Sequence, residues 1–328
     1  MTTANGLHTR TALLAQGVTD AEIKVHLRKG TLELVSRGTY RTVNSGAPWP
    51  VQQFIDRSLA AAHAAPKLIL SHLSAAAVWG LPMARDANIS RVHLTRIGSS
   101  GRRRQSGRLI HCANLLYDEV TILDTAVGTV AITSPERTIL DVGRTESKLT
   151  AVTIGDAALH ARLCSPDEVA EQLRRQSRQA GIPAARRALA LLDGRAESPG
   201  ETWVRVLFTE AGLPPSQSQV EVFDEAGRFV GRADGAITDA GLIWEYDGGG
   251  KYRELLRPGE DVTRAVLDEK NRQDQMTELG WLVMRIDKRD QAAPAQLVQR
   301  ARRLVSSRVG LPRPRGFARP LPWNRILT

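Results

Sequence analysis

The sequence predicts a multidomain protein of the α+β and α/β classes, and three observations support this. The chain has 328 residues, which is more than one typical domain contains. Its hydrophobic spacing changes in blocks, from helical to alternating and back. Its 42% hydrophobic and 24% charged residues are typical of a globular protein with sizeable cores. We therefore expect a helix–turn–helix with a hairpin in 1–48, a mixed α/β middle region in 49–194, an αβββαβ domain in 195–290 and a basic Arg/Pro-rich tail in 291–328.

The sequence argues against membrane and secreted proteins. It contains no apolar run of about 18 residues, so no membrane span or membrane partner is expected. Polar residues interrupt the N-terminus where a signal peptide needs an apolar stretch. Cys112 and Cys164 have no CxxC partner, which argues against a zinc site or a disulfide framework. The reducing cytoplasm is the compartment that fits best.

The positive charge is concentrated at the C-terminus. The net charge is +10, and the segment from Gln291 to Thr328 holds eight arginines and no acid, so the preceding residues carry only +2. Such an excess suggests a polyanionic partner. The proline-rich tail favours extended structure, and two interpretations stay open: a solvated, partly disordered end, or a nucleic-acid contact.

The first block, residues 1–48, has the order of a winged helix-turn-helix. A short helix over Thr9–Gln16 stops at Gly17, and Thr19 with Glu22 predicts a capping box for a second helix that ends at Gly30. Two β-rich pieces joined by Arg37 and Gly38 follow. In that module a helix enters the major groove and the wing touches phosphates. The alternative is a small helical cap with an edge hairpin. The basic residues expected to contact DNA are Lys24, Arg28, Lys29, Arg37 and Arg41.

A family resemblance accompanies this pattern. The run TRTALLAQGVTDAEIKVHLRKGTLELVSRGTYRTV resembles the N-terminal winged helix of the AbiEi antitoxin family, through the Leu13-Leu14 helix, the Arg28-Lys29-Gly30 helix end and the Arg37–Tyr40 wing. Members of that family repress toxin–antitoxin operons. The resemblance therefore implies DNA binding, a cognate toxin as a partner and no enzymatic activity.

The middle region, 49–194, gives little functional information. Helices are expected over Val51–Ala65 and Ser71–Trp79, then four short strands, then helices from Pro135 to Leu192. The pieces LSHLSAAAVWGLP and TSPERTILDVGR resemble the segment that follows the winged helix in AbiEi-like proteins. His72 and Arg137 are interpreted as structural residues, and Arg102–Arg104 as a solvated turn, with a phosphate contact as the alternative.

The third block, 195–290, begins with a well-marked helix. Ser198 is a good N-cap, Pro199 suits the first helical position, and Glu201 lies at the third. Glu201 is also at the end of the buried face. Two roles for Glu201 therefore stay open, one in the capping box and one in an active site.

Three further acids follow on predicted strands. Asp234 ends one strand, and the next strand places Leu242, Trp244 and Tyr246 on one face, with Ile243, Glu245 and Asp247 on the other. Adjacent carboxylates on a buried strand repel each other unless a cation joins them, and Mg²⁺ takes oxygen ligands. Helix Glu, strand Asp, hairpin and strand Glu is the order of acids in the PD-(D/E)XK nuclease fold.

This block also resembles a family. The pattern GRADGAITDAGLIWEYDGGGKY…EKNRQDQMTELGWLVMRI resembles the very-short-patch-repair (Vsr)-like branch of the restriction-endonuclease-like superfamily. The resemblance implies Mg²⁺ ligation by Asp234 and Glu245, with Glu201 and Asp247 helping. Two departures are visible: Asp247 stands where the signature has its lysine, so that Lys251 or Lys270 would supply the charge, and Gly235 stands where an aromatic residue is common.

Two functions are therefore predicted from the sequence. The first is a DNA-binding, Mg²⁺-dependent endonuclease that acts in defence or repair. The second is a non-enzymatic AbiEi-type antitoxin or transcriptional regulator with an inactive nuclease fold.

Overall fold

The structure is a computed structural model that describes residues 6–43, 49–98, 102–105, 107–248 and 262–322, with the backbone alone at 102–105 and 262–269. It is a mixed α and β protein with three multi-stranded sheets. The chain divides into two units, Met1–Ala190 and Leu191–Thr328. None of the described helices combines the length and the apolar character needed to cross a membrane.

The first unit begins with two helices and a small sheet. The elements are β1 (Leu7–Thr9), α1 (Arg10–Ala15), α2 (Asp20–Lys29), β2 (Leu32–Ser36) and β3 (Thr39–Thr42). The strands pair antiparallel in the order β1-β3-β2. The capping box of Thr19 and Glu22 is confirmed, and so is the burial of Ile23 in the small core. Strand β1 was not predicted, since three residues are too few to establish an alternation.

A six-stranded mixed sheet follows in the same unit. Its elements are α3 (Pro50–His63), β4 (Ile69–Leu70), α4 (His72–Val78), β5 (Val92–Ile97), β6 (Arg102–Gln105), β7 (Arg108–Ala113), β8 (Val120–Thr125) and β9 (Gly128–Thr133). The strand order is β6-β7-β5-β4-β9-β8, and β5 runs parallel to β7. The interpretation of Arg102–Arg104 as a solvated turn was wrong, because these residues form β6 and pair antiparallel with β7.

Helices complete the first unit. They are α5 (Pro135–Thr145), α6 (Lys148–His160), α7 (Pro166–Arg175) and α8 (Ile182–Leu189). Ser165 and Glu168 form a capping box at the start of α7. Helix α5 is buried over most of its length, including the charged residues Arg137 and Asp141.

The second unit has the predicted order of elements. It contains α9 (Pro199–Glu210), β10 (Gln217–Phe223), β11 (Phe229–Ile237), β12 (Leu242–Asp247), α10 (Val262–Glu278), β13 (Leu282–Asp287), α11 (Pro294–Ser307) and β14 (Phe317–Pro320). The sheet order is β13-β12-β11-β10-β14, with β12 and β13 parallel and the other neighbours antiparallel. The expected helix–strand–strand–strand–helix–strand order is therefore present within 199–287.

The two faces of β12 are divided as the alternation predicts. Leu242, Trp244 and Tyr246 join a core that includes residues of α9 and α11. Ile243 joins a second core that contains Met276 of α10. The central sheet of the unit is thus covered on both faces, with Glu245 and Asp247 on the face where α10 packs.

The C-terminal segment is folded where the sequence suggested a solvated or extended end. Helix α11 buries Leu297, Val298 and Ala301, and β14 adds an edge strand beside β10. Phe317 stacks on Phe223 with ring centroids 4.9 Å apart. Several arginines of the segment donate to carbonyl or carboxylate oxygens of the same unit, namely Arg300, Arg302, Arg308, Arg315 and Arg319. The segment from 294 to 320 is therefore part of the second unit.

Candidate functional site

Glu201 is a buried acid at the start of α9. Ser198 caps the helix by accepting from the Glu201 backbone N–H, as predicted. The Glu201 carboxylate accepts from the backbone N–H of Glu197 at 2.9 Å, from Ser198 Oγ at 2.8 Å and from Gln219 Nε2 at 2.8 Å. The predicted capping box is therefore not formed in full, since the Glu201 carboxylate accepts from the Glu197 N–H and the Ser198 hydroxyl and not from the Ser198 backbone N–H. The carboxylate also reaches Gln219 of the sheet, and its role in an active site stays a prediction.

The Glu201 carboxylate lies close enough to Asp234 for the two charges to repel. Burial in the core and the negative charge of Asp234 together raise the pKa of Glu201 to about 7. Gln219 and Asp234 lie between the paired residues Ser218↔Gly235 and Val220↔Ala233, so they are opposite each other on β10 and β11. This arrangement concentrates negative charge at one point, which a proton or a cation would relieve.

Gln219 and Tyr246 complete the surroundings of these two acids. Gln219 has φ 48°, a left-handed conformation that is uncommon outside glycine, and is buried. Asp234 Oδ2 accepts from the backbone N–H of Tyr246 at 2.8 Å. The backbone of β12 therefore fixes the Asp234 carboxylate, and the strained residue Gln219 orients Glu201. Neither residue was singled out from the sequence, because an amide and a backbone donor carry no motif.

Glu245 on β12 pairs with an arginine. Arg272 Nη2 donates to Glu245 Oε1 at 2.7 Å, with the two side chains 23% and 18% exposed. Arg272 also donates to the backbone carbonyl of Arg232 on β11. Among the residues for which the structure gives contacts at Glu245, Arg272 of α10 supplies the positive charge.

Lys251 and Lys270 are the two lysines predicted to supply the positive charge near the acids. Lys251 lies outside the described residues. Lys270 is exposed on α10. It precedes Arg272 by two residues, or roughly 200° of helical rotation, so it points away from the side that contacts the sheet. Asp247 is half-buried at the end of β12, where its Cα is in register with that of Asp287.

The surroundings of Gly235 explain why this position does not hold the aromatic residue that is common there in the nuclease pattern. A Cβ at this position would lie 2.1 Å from Cζ2 of Trp244 and 2.7 Å from the carbonyl oxygen of Gln217. The buried indole of Trp244 therefore occupies the space that a side chain at residue 235 would need. Its Nε1 donates to Ser216 Oγ at 2.8 Å, which fixes the ring in that position.

Four of the five basic residues expected to contact DNA lie on the surface. Lys24, Arg28 and Lys29 are exposed on α2, and Arg37 is exposed in the turn between β2 and β3. Arg41 differs: its Nε donates to Asp56 Oδ2 of α3, and its side chain is only 11% exposed. Arg41 therefore joins the hairpin to α3, a contact with a partner 15 residues away that no local pattern indicates.

Two residues of the middle region have buried polar partners. Arg137 binds Glu119 at 2.9 Å and Asp141 at 3.0 Å, and the side chains of all three are at most 2% exposed. Asp141 lies four residues from Arg137 on the same helix, whereas Glu119 lies 18 residues away. His72 lies within a cluster with His93 and His111, and their ring nitrogens are within 4.8 Å of one another. This cluster was missed because each histidine is isolated in the sequence.

Comparisons with known proteins do not assign a family. No protein-family model matches the chain. Two curated proteins of Mycobacterium tuberculosis, the uncharacterized protein MT2308 of strain CDC 1551 / Oshkosh and the uncharacterized protein Rv2248 of strain ATCC 25618 / H37Rv, are each 32% identical over 154 residues. The match covers 47% of this chain and 54% of either relative, so it spans about half the length of both.

A solved structure is also similar in part. The crystal structure of the RV2827C protein from Mycobacterium tuberculosis aligns with a TM-score of 0.35 at 16% sequence identity, and the alignment covers 61% of this chain and 75% of that one.

Proposed function

We propose that the chain is a DNA-binding protein whose second unit is a Mg²⁺-dependent endonuclease. The observation that carries this proposal is the crowding of Glu201 and Asp234, where burial and mutual repulsion raise the pKa of Glu201 to about 7. Structural carboxylates are normally paired with cations, whereas acids forced together are a frequent property of functional sites. The order of elements and acids supports the same assignment.

The chemistry of these side chains fits a hard divalent ion. Asp234 and Glu245 would hold Mg²⁺ through carboxylate oxygens, with Glu201 and Asp247 adding negative charge. When bound, the ion polarises a phosphate oxygen and lowers the pKa of a coordinated water. Carboxylates that repel one another gain most from such a cation, because it removes the repulsion as well as adding attraction.

The chain itself supplies further groups. Arg272 is held at Glu245 by two hydrogen bonds, one to that carboxylate and one to the Arg232 carbonyl. A guanidinium fixed beside the acids would stabilise the negative charge that develops on phosphate during hydrolysis. It would thus take the role that the sequence assigned to Lys251 or Lys270.

The first unit would supply the contact with DNA. Lys24 and Arg28 are four residues apart on α2 and share one face, and Lys29 and Arg37 add charge at the helix end and at the hairpin turn. In a winged helix-turn-helix a helix enters the major groove and the hairpin contacts phosphates. The resemblance of this block to AbiEi antitoxins supports the same assignment.

Two observations favour a second function, a non-enzymatic regulator of the AbiEi type with a cognate toxin as its partner. Arg272 Nη2 donates to Glu245 Oε1 at 2.7 Å, and Asp247 stands where the nuclease signature has lysine. A guanidinium that replaces the metal would make the acid cluster a stable part of the fold. Regulation would then depend on the first unit alone.

A plasmid-nicking assay with Mg²⁺ or Mn²⁺ separates the two functions. For the endonuclease, we expect wild type to nick DNA, and Asp234→Ala and Glu245→Ala to reduce the rate by at least about 100-fold, as loss of an electrostatic group usually does. The matched control is Asp239→Ala, which removes an exposed carboxylate between β11 and β12 and should retain full activity.

Two results would contradict this proposal, one for its site and one for the activity itself. Cleavage that survives both substitutions excludes the acid cluster as the site. Absence of cleavage in wild type, together with sequence-specific binding in a gel shift, supports the regulator.

A further inference from the structure

The first unit contains a buried cluster of three histidines that the proposed function does not use. His72 is the first residue of α4, His93 lies on β5 and His111 lies on the neighbouring parallel strand β7. They are 4%, 4% and 9% exposed. Each offers a ring nitrogen, and these atoms all lie within 4.8 Å of one another. The pairing of β5 with β7 and the position of the start of α4 thus bring the three histidine rings together.

The distances between the rings are close to those of a tetrahedral metal site. His111 Nε2 lies 3.3 Å from His93 Nδ1. Two imidazoles bound to one zinc ion at about 2.0–2.1 Å place their nitrogens about 3.3 Å apart and their ring centres about 5 Å apart. The ring centroid of His93 lies 5.3 Å from the ring centroid of His111 and 5.6 Å from that of His72. His93 therefore needs little movement to share an ion with either neighbour.

His72 must move more than the other two. Its ring stacks on that of His111 with centroids 3.6 Å apart and an interplanar angle of 13°. Parallel stacked rings direct their nitrogens side by side rather than to a common point. Binding of one ion would turn the His72 ring out of this stack, and the cleft that His72 lines gives it room to do so.

Neighbouring hydroxyls orient His72. Its Nδ1 lies 3.0 Å from Ser71 Oγ, which in turn accepts from Thr95 Oγ1 at 2.8 Å. A ring nitrogen held by an outer oxygen leaves the other nitrogen, here Nε2, to face a metal. His72 also has φ 52°, a strained conformation for a residue with a side chain. The uncommon backbone conformation thus lies at the residue whose ring joins the cluster.

The cluster opens to a cleft on one side. His72 and His111 line a cavity of about 440 Å³ whose walls also include Cys112, Asp141 and Arg144. A three-histidine site with two of its ligands at a cleft leaves a fourth coordination position accessible, which is the arrangement of catalytic rather than structural zinc. The Asp141–Arg144 ion pair, 3.2 Å long, places a carboxylate and a guanidinium at the same opening.

We propose that His72, His93 and His111 form a site for Zn²⁺ or a similar borderline transition metal, with an open position that faces this cleft. Imidazole ligands favour such ions, whereas Mg²⁺ prefers oxygen. The site is therefore separate in its chemistry and in its residues from the acid cluster of the second unit. The two isolated cysteines argued against a zinc site, and the proposed site uses three histidines and no cysteine.

Metal binding to the untagged full chain tests this site. After removal of metal with a chelator, wild type should take up one Zn²⁺ per chain against a chromophoric competitor, and Co²⁺ should give the intense visible bands of tetrahedral coordination. His93→Gln and His111→Gln should lower the affinity by more than about 100-fold, and Ser71→Ala by about 10–100-fold as an outer-shell partner. The control His63→Gln changes an exposed histidine on α3 of the same unit and should bind as wild type does.

The wild-type measurement keeps the proposal testable even where a variant fails to fold. Folded wild type that gives up all Zn²⁺ to the competitor, or that shows only octahedral Co²⁺, overturns the site. Equal affinity in folded His93→Gln, His111→Gln and wild type overturns it as well. These readouts do not involve DNA cleavage, so they are independent of the endonuclease proposal.

Discussion

At the scale of single residues, Glu201 shows how an ordinary helix cap acquires unusual electrostatics. Ser and Glu three residues apart at a helix start stabilise many helices by hydrogen bonding alone. Here the Glu201 side chain is 1% exposed and lies next to Asp234, so its charge has no water to stabilise it. Glu201 therefore stabilises the start of α9, while its burial beside Asp234 makes the ionisation of its own carboxyl group unfavourable.

This environment predicts a dependence of stability on pH. The folded-state pKa of about 7 exceeds the ordinary 4.5, so the folded chain holds the Glu201 proton more tightly than the unfolded chain. The free energy of unfolding should therefore fall as pH rises from about 4.5 to about 7, by about 3 kcal/mol for this group. Glu201→Gln should remove this dependence, which urea unfolding of both proteins across that range measures.

A control for this prediction uses another carboxyl. Asp239→Asn changes an exposed acid of the same unit and should leave the pH profile of wild type intact. A Glu201→Gln profile parallel to that of wild type would contradict the prediction. Saturating Mg²⁺ should flatten the wild-type profile in the same range, because a cation held by Asp234 and Glu245, as proposed, would offset the repulsion between Asp234 and Glu201.

Arg137 is a second residue whose environment decides its role. It holds two buried carboxylates, Glu119 and Asp141, while Gln176 Nε2 donates to the other oxygen of Glu119 at 3.2 Å. Arg137→Met should lower the free energy of unfolding by about 3–5 kcal/mol, because Glu119 would remain buried without this cation and Asp141 would lose one of its two arginine partners, Arg137 and Arg144.

Arg174→Met is the matched control for this substitution. Arg174 pairs with Glu171 on the surface, where its side chain is 73% exposed, and such pairs contribute about 0–1 kcal/mol. Equal losses of stability in the two variants, measured by urea unfolding, would show that the buried network adds nothing beyond a surface pair.

At the scale of elements, strands β11 and β12 explain why the chain departs from the nuclease pattern at Gly235. The indole of Trp244 lies over Gly235 and occupies the volume of a side chain. An aromatic residue at 235 and a tryptophan at 244 would compete for one space. A substitution at one strand is therefore coupled to the residue opposite it on the other.

This coupling predicts the effect of adding a methyl group. Gly235→Ala should destabilise the second unit by about 1–3 kcal/mol, because the Cβ would meet a fully buried ring that cannot shift freely. Gly248→Ala is the control: its Cβ would lie 3.9 Å from Tyr246, an ordinary contact, and the change should stay within about 0.5 kcal/mol. Thermal unfolding compares the two, and a Gly235→Ala variant as stable as Gly248→Ala would contradict the argument.

At the scale of the whole molecule, the positive charge has a different meaning from the one its total suggests. Much of the excess is in the segment after Gln291, but many of those arginines donate to oxygens of the second unit. A side chain that closes a helix end or an edge strand is less available to phosphates. The exposed residues of α2 are therefore the better candidates for contact with DNA.

The salt dependence of DNA affinity tests this assignment. The triple variant Lys24→Ala, Arg28→Ala, Lys29→Ala should lower the slope of log affinity against log salt by about 3, since each phosphate contact contributes about 0.9. The control triple variant Arg174→Ala, Arg186→Ala, Arg187→Ala removes the same charge from exposed positions of the same unit. Fluorescence anisotropy of a labelled duplex measures both, and equal losses would indicate that only net charge matters.

The sequence by itself determined what depends on neighbouring residues. The capping box of Thr19, the start of α9 at Ser198 and the two faces of β12 follow from spacings within a few residues, and the structure agrees with each. Local hydrogen bonds and side-chain alternation are short-range effects, so a single sequence contains them in readable form.

Only the tertiary structure decided which distant residues meet. Arg272 reaches Glu245, Arg41 binds Asp56 instead of facing outward, and His72 joins two histidines from other elements. These contacts depend on strand pairing and helix packing, which bring together positions separated by 15 to 39 residues. The charge and the ligand atoms are visible in the sequence, but their convergence is a property of the fold.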